Sequence, residues 1–261
     1  MSRVLTAALL LPVAVYLIVA SPRPVLAVAV TALGCLCYQE FRRLAEAHAA
    51  PAPVVGMVAG AALLLAPARN WELMTAVMFA GFAWSIRTSD LRQVLPGSSA
   101  LALGTLYCFG PWLAALRLRD VSVYWLLLAV SLSWVGDAAA FATGKLAGRR
   151  QLAPRISPGK TWEGALGSLI ASSLFGIAFS RILLPHTGTI ESVFVTAGAN
   201  IAGQLGDLWE SALKRGADVK DSGAMLPGHG GWLDRLDSTL FAVVAVYVWV
   251  SGFGLRVRAF G

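Results

Sequence analysis

Apolar stretches of membrane-crossing or nearly membrane-crossing length recur from one end of this chain to the other, and no soluble domain fits between them. Nine can be drawn, at about 4–20, 24–39, 53–67, 71–86, 98–116, 121–143, 163–184, 191–210 and 237–255. A hydrocarbon core roughly 30 Å thick takes about 20 helical residues to cross. Hydrophobic residues make up 57% of the chain, above the roughly 45–50% of soluble domains. The apolar runs are continuous rather than alternating with period two, which argues against a β-barrel. The expected fold is all-α, a polytopic integral membrane protein with about nine transmembrane helices. The amino-terminal run, a cation followed by apolar residues, reads as a retained first span rather than a cleaved signal, because apolar character continues past Pro24. No internal repeat is evident, which counts against the inverted-repeat transporter plan.

Cations in the connections set the expected topology. With nine spans, fourteen of the 21 Lys and Arg fall on one side, among them Arg42, Arg43, Arg87, Arg92, Lys145, Arg149, Arg150 and Lys160. The positive-inside rule puts that side in the cytoplasm, together with the amino terminus and both long polar loops. The net charge of +7 fits topology and contact with anionic lipid, and no nucleic-acid partner is expected. Cys35, Cys37 and Cys108 all lie in apolar runs, where packing explains them better than metal or disulfide chemistry. The expected organisation is a set of amino-terminal helices over 1–120 and a catalytic region over 121–261, with polar loops at about 144–162 and 211–236.

The first loop begins inside a membrane segment. Asp137 sits among Ala, Gly and Trp, and an intramembrane carboxylate is a functional candidate by default; the plain alternative is a helix-end Asp reaching the interface. SPGKTWEG, residues 157–164, is not a Walker loop. It reads as a turn at Pro158 and Gly159 followed by a helix that Thr161 caps and Glu163 opens. Lys160 then lies beside a helix amino terminus, a place suited to phosphate.

The second loop, from Ser211 to Ser238, holds four Lys or Arg, four Asp, one His and five Gly, in a chain where only 13% of residues are charged. Asp207 and Glu210 precede it three residues apart, so on a helix they share a face. Asp234 and Asp237 repeat that spacing where the next apolar helix begins, with Arg235 between them. Two such carboxylate pairs at neighbouring helix ends can converge on a divalent cation, and Mg²⁺ takes hard oxygen ligands. An ion pair between Glu210 and Lys214 is the plain alternative. PGHGG supplies a tight, open turn, and Trp209 and Trp232 read as interface anchors.

These residues, in this order, resemble the phosphatidate cytidylyltransferases (CDP-diacylglycerol synthases). The resemblance lies in S-x-L-K-R-x4-K-D-x-G-x2-L-P-x-H-G-G-x2-D-R-x-D at 211–237, GD-x2-ES at 206–211 and SP-x-KT-x-EG at 157–164. It is specific over roughly residues 133–240. The family commonly shows D-[TS]-x-A-Y where this chain has Asp137-Ala138-Ala139-Ala140-Phe141, and an aliphatic residue at Trp232. The resemblance implies an Mg²⁺-dependent enzyme in a bacterial inner membrane, its site facing the cytoplasm, that makes CDP-diacylglycerol and pyrophosphate from CTP and phosphatidic acid. It also implies a homodimer and a second, monovalent cation such as K⁺. Asp207, Asp234, Asp237, Lys214 and Arg235 are then the candidate catalytic residues, with Asp207, Asp234, Asp237 and Glu210 as metal ligands. Asp137, Lys145, Ser157, Lys160, Thr161, Glu163, Ser211, Arg215, Lys220, Asp221, Gly228, His229, Gly230 and Gly231 are candidates for substrate binding. Two alternatives compete: a paralogue acting on another lipid phosphate, and a non-enzymatic membrane transporter.

Overall fold

The computed structural model describes residues 2–66, 70–226, 228 and 230–254. Among them the chain forms nine α-helices: α1 (Ser2–Val19), α2 (Arg23–Ala47), α3 (Val55–Leu65), α4 (Asn70–Ser85), α5 (Val94–Val121), α6 (Val123–Ala147), α7 (Trp162–Leu183), α8 (Thr189–Gly216) and α9 (Leu233–Trp249). A two-stranded hairpin, β1 (Gln151–Ala153) and β2 (Ser157–Thr161), lies between α6 and α7. Each apolar segment falls on one helix, as it must where the backbone can satisfy its amides only within the segment.

Among the described residues, four stretches are long and apolar enough to cross a membrane: α2, Leu91–Val121 with α5 in it, α6 and α7. Length and composition thus support four of the nine spans expected. The 11 residues of α3 reach only about 16 Å at 1.5 Å per residue, short of the hydrocarbon core. The 16 residues of α4 also fall below the usual length, and the 17 of α9 stand at its lower limit. The apolar run of α8 is interrupted by Asn200, Gln204, Asp207 and Glu210.

The helices gather into two compact units. One comprises Met1–Leu116 and Leu213–Leu236, so the amino-terminal helices share a unit with most of the second polar loop. Its core is aromatic: the Tyr38 and Phe109 rings are 6.1 Å apart, Phe41 lies 6.3 Å from Tyr38, and all three are buried. The Tyr38 hydroxyl donates to the Pro53 carbonyl (2.8 Å), so burying it leaves no donor unmet.

The other unit comprises Arg117–Ala212 and Asp237–Gly261. Here α7 buries Gly164, Ser168, Ser172, Gly176 and Ser180, one residue in every four. That spacing makes a stripe of small side chains along one face, which allows close helix approach inside a membrane. Facing it, α8 carries Thr196 against Gly176 and Asn200 against Ser168 and Ser172. The expected turn at Pro158–Gly159 is instead part of strand β2. The chain reverses three residues earlier, where Ile156 N–H reaches the Ala153 carbonyl (3.1 Å) and Pro154 supplies the fixed φ that a turn favours.

Candidate active site

In the second unit, a polar seam runs along α8 toward its carboxylates. Asn200 Nδ2 donates to Ser168 Oγ (2.8 Å) and Ser172 Oγ (2.9 Å), and Gln204 Nε2 donates to Asn200 Oδ1 (2.6 Å) and the Ala165 carbonyl (3.2 Å). A small cavity of about 10 Å³ opens here, lined in part by Ser133, Asp137, Asn200, Gln204 and Ser238. It is about the size that holds one water. One turn further along α8 comes Asp207, whose Oδ2 lies 2.5 Å from Lys160 Nζ. Thr161 caps α7 by accepting from Gly164 N–H (3.1 Å), which fixes the residue that follows Lys160. Glu163 Oε2 accepts from the backbone N–H groups of Arg149 (3.1 Å) and Arg150 (3.3 Å), tying the start of α7 to the chain leaving α6.

The same unit holds Glu210, fully buried, and Asp237, 9% exposed. Asp237 feels the negative charge of Asp207, Glu210 and Asp137. The glycine of GD-x2-ES lets α8 approach the start of α9 closely: a Cβ on Gly206 would stand 2.6 Å from the Asp237 carbonyl oxygen. Ser211 Oγ reaches Asp207 Oδ1 at 3.5 Å.

The first unit holds Lys214, Asp221, Gly228, Gly230, Gly231, Asp234 and Arg235. Lys214 Nζ is 2.5 Å from Asp234 Oδ1, with the two side chains 11% and 4% exposed. Asp234 Oδ2 accepts from Gly231 N–H (2.7 Å), Ser222 N–H (2.9 Å) and Ser222 Oγ (3.0 Å). Burial pushes the Asp234 carboxyl up, but the bond from Lys214, the Gly231 amide and the Lys214 charge outweigh it and hold the group below its ordinary value. Leu226 N–H donates to the Gly230 carbonyl (2.9 Å), and Gly228 and Gly230 both stand at φ +76°, a region glycine enters without a Cβ penalty.

Of the remaining candidates, Lys145 stands 6.0 Å over the Phe141 ring, and Arg215 Nη1 donates to the Val219 carbonyl (3.0 Å). Lys220, Asp221 and Arg235 are exposed, and Ser157 pairs with Ala153 in the hairpin. His229 lies outside the described residues. Among those described, no three His, Cys, Asp or Glu side chains are drawn close enough to enclose a metal. The all-carboxylate set of Asp207, Glu210 and Asp237 is nonetheless the hard-oxygen chemistry that Mg²⁺ takes, and Mg²⁺ binds through one or two carboxylates plus substrate phosphate rather than a full protein cage.

Two groups escaped sequence reasoning. Glu40, in α2, is fully buried and accepts from Ser222 Oγ (2.7 Å), Trp232 N–H (3.0 Å) and Leu233 N–H (2.9 Å). Its signal was an acid on the buried face that also carries Cys37, Phe41 and Leu44. Asn200 and Gln204 were absorbed into an apolar segment, although their four-residue spacing leads on to Asp207.

Comparison with known proteins bears on this arrangement. The model of the Cytidylyltransferase family matches residues 1–253. A phosphatidate cytidylyltransferase of Pseudomonas aeruginosa is 34% identical over 275 aligned positions, covering 97% of this chain and 98% of the relative. Those of Haemophilus influenzae (36% identical, 69% of this chain) and Bacillus subtilis (38% identical, 59% of this chain) are matched over 66% and 58% of their own lengths. With SPGKT and GD-x2-ES joined through Lys160 and Asp207, and the family model matching nearly end to end, the chain belongs to the cytidylyltransferase family.

Proposed function

We propose that this protein is a phosphatidate cytidylyltransferase of a bacterial inner membrane, with its site facing the cytoplasm. The reaction transfers CMP from CTP to the phosphate of phosphatidic acid. A phosphate oxygen of the lipid forms a bond to the α-phosphorus of CTP, the α–β bridging P–O bond breaks, and pyrophosphate leaves. The lipid phosphate is anionic near neutral pH and needs no strong base, so alignment and charge neutralisation carry the catalysis. The observation that supports this reading most is the 2.5 Å pair of Lys160 and Asp207, which joins a phosphate-suited cation to a carboxylate-rich helix.

Each group of residues has a distinct part. Lys160, at the capped start of α7, holds phosphate oxygens with charge-assisted hydrogen bonds. Asp207, Glu210 and Asp237 would hold Mg²⁺. When bound, that ion neutralises triphosphate charge and that of the departing pyrophosphate. Lys214 keeps Asp234 paired until a triphosphate offers it a more strongly charged anion, which frees Asp234 Oδ1. Asp137, at the polar cavity, shapes the acceptor side. The acyl chains stay in lipid while the headgroup meets aqueous CTP at the helix ends.

The test is purified protein in detergent with CTP and Mg²⁺, offered phosphatidate beside isoprenoid and other lipid phosphates. CDP-diacylglycerol formation is expected with phosphatidate as the preferred acceptor. A clear preference for another lipid phosphate would overturn the substrate assignment.

A further inference from the structure

Glu40 lies toward the carboxyl end of α2, 182 residues before Ser222, yet its carboxylate meets the segment that follows α8. It is fully buried, and a buried carboxylate is costly unless hydrogen bonds satisfy it. Three donors do so. Oε1 accepts from Trp232 N–H, and Oε2 accepts from Leu233 N–H and Ser222 Oγ. Leu233 is the first residue of α9, so Glu40 caps that helix from another one. It meets orphan amides with an anion at the positive end of the dipole.

The bonds continue beyond the cap. The single Ser222 hydroxyl proton lies between Glu40 Oε2 (2.7 Å) and Asp234 Oδ2 (3.0 Å), while Ser222 N–H and Gly231 N–H hold Asp234 Oδ2 from the backbone. Lys214 then closes on Asp234 Oδ1. A Cβ at Gly231 would strike Glu40 Oε2 and Ser222 Oγ, so the second glycine of HGG is the space that this carboxylate needs. A leucine at position 40 would fill the volume and leave Trp232 and Leu233 N–H unmet.

We infer that Glu40 is a positioning residue for the transfer reaction: it fixes the turn before α9, and through Ser222 and Gly231 it sets where Asp234 and Lys214 stand. The inference rests on the cytidylyltransferase reading for its effect on turnover, though not for its effect on the turn. Glu40→Gln is the informative variant. A Gln amide presents NH2 to Trp232 N–H or, flipped, to Leu233 N–H, so neither rotamer restores both caps.

The experiment measures two things on full-length wild-type and Glu40→Gln protein in detergent. These are amide hydrogen exchange of the 222–236 segment, and kcat and KM for CTP. Expected are exchange at least about tenfold faster in that segment with α7 unchanged, and a kcat about 100-fold lower with KM for CTP moved by less than about threefold, a loss typical of a misplaced constellation. Glu40→Asp, which keeps the charge but retreats by one methylene, is expected to recover part of kcat. Unchanged exchange, or faster exchange at wild-type kcat, would overturn the inference. Should Glu40→Gln fail to fold, Ser222→Ala removes the hydroxyl shared by Glu40 and Asp234 while both caps and the backbone bonds to Asp234 stay; kcat is then expected to fall by about tenfold, and wild-type kcat in that variant also overturns the inference. Wild-type protein inactive toward phosphatidate sinks the reaction assignment, while the exchange arm still decides whether Glu40 holds the turn.

Discussion

Lys160 and Asp207 form an ion pair at 2.5 Å, 47 positions apart, one at the end of a β-hairpin and the other on α8. Their side chains remain 27% and 31% exposed. Partly exposed pairs contribute only about 0–1 kcal/mol to stability. Lys160→Ala is therefore expected to shift the unfolding midpoint little while lowering kcat/KM for CTP by two orders of magnitude or more, roughly the scale for losing an electrostatic contact in the transition state. Thermal unfolding beside steady-state kinetics checks it. A large stability loss with normal turnover would make the pair structural.

Lys214 and Asp234 form the contrasting pair, 11% and 4% exposed. Removing one partner of a buried pair strands the other charge, at a cost of about 3–5 kcal/mol. Lys214→Met should destabilise the protein far more than Lys160→Ala, and Asp234→Asn added to it should recover part of the loss. Unfolding of the single and double variants reads this directly.

Acid should expose the same pair. The Asp234 carboxyl is held below its ordinary value, so its stabilising contribution is complete above the unfolded value near 3.9. It is lost as pH falls through the lower folded value. Wild-type protein should lose stability below about pH 4, and Asp234→Asn should flatten that part of the curve. Midpoints measured between pH 6 and pH 3 test it; parallel curves would remove Asp234 from the acid limb.

Local chemistry was legible in the sequence and distant pairing was not. The Thr161 cap and the shared face of Asp207 and Glu210 follow from neighbours a few residues away, and the structure shows the cap bond to Gly164 at 3.1 Å. Apolar periodicity placed the nine helices found among the described residues, and four stretches there are also long and apolar enough to cross a membrane. The hairpin hid because SPGKT reads locally as a turn and pairs with Gln151–Ala153 only once the chain has reversed. Glu40 was invisible because its partners lie 182 to 193 positions away. The four carboxylates differ in surroundings in a way their spacing does not show: Asp237 lies in the field of other acids, and Asp234 meets Lys214 and backbone donors.

The glycines of the turn carry a prediction of their own. Gly230 has φ +76°, and a Cβ there would stand 2.6 Å from Asp234 Oδ2. Gly230→Ala should cost about 1–3 kcal/mol, the usual scale for a forced left-handed residue, and should lower turnover as well. Gly159→Ala, where a Cβ meets nothing within 4 Å, should leave stability within about 0.5 kcal/mol. Equal effects at the two sites would contradict the geometry.

The proposed reaction is attack at the α-phosphorus of CTP by a lipid phosphate. It is tested most directly with CTP radiolabelled in either the α- or the γ-phosphate, phosphatidate in mixed micelles and Mg²⁺. Expected are α-label in the lipid and γ-label in pyrophosphate in equal amounts, with both lost in Asp207→Asn. Label from the γ-phosphate in the lipid, or no transfer by well-folded wild-type protein, would contradict it.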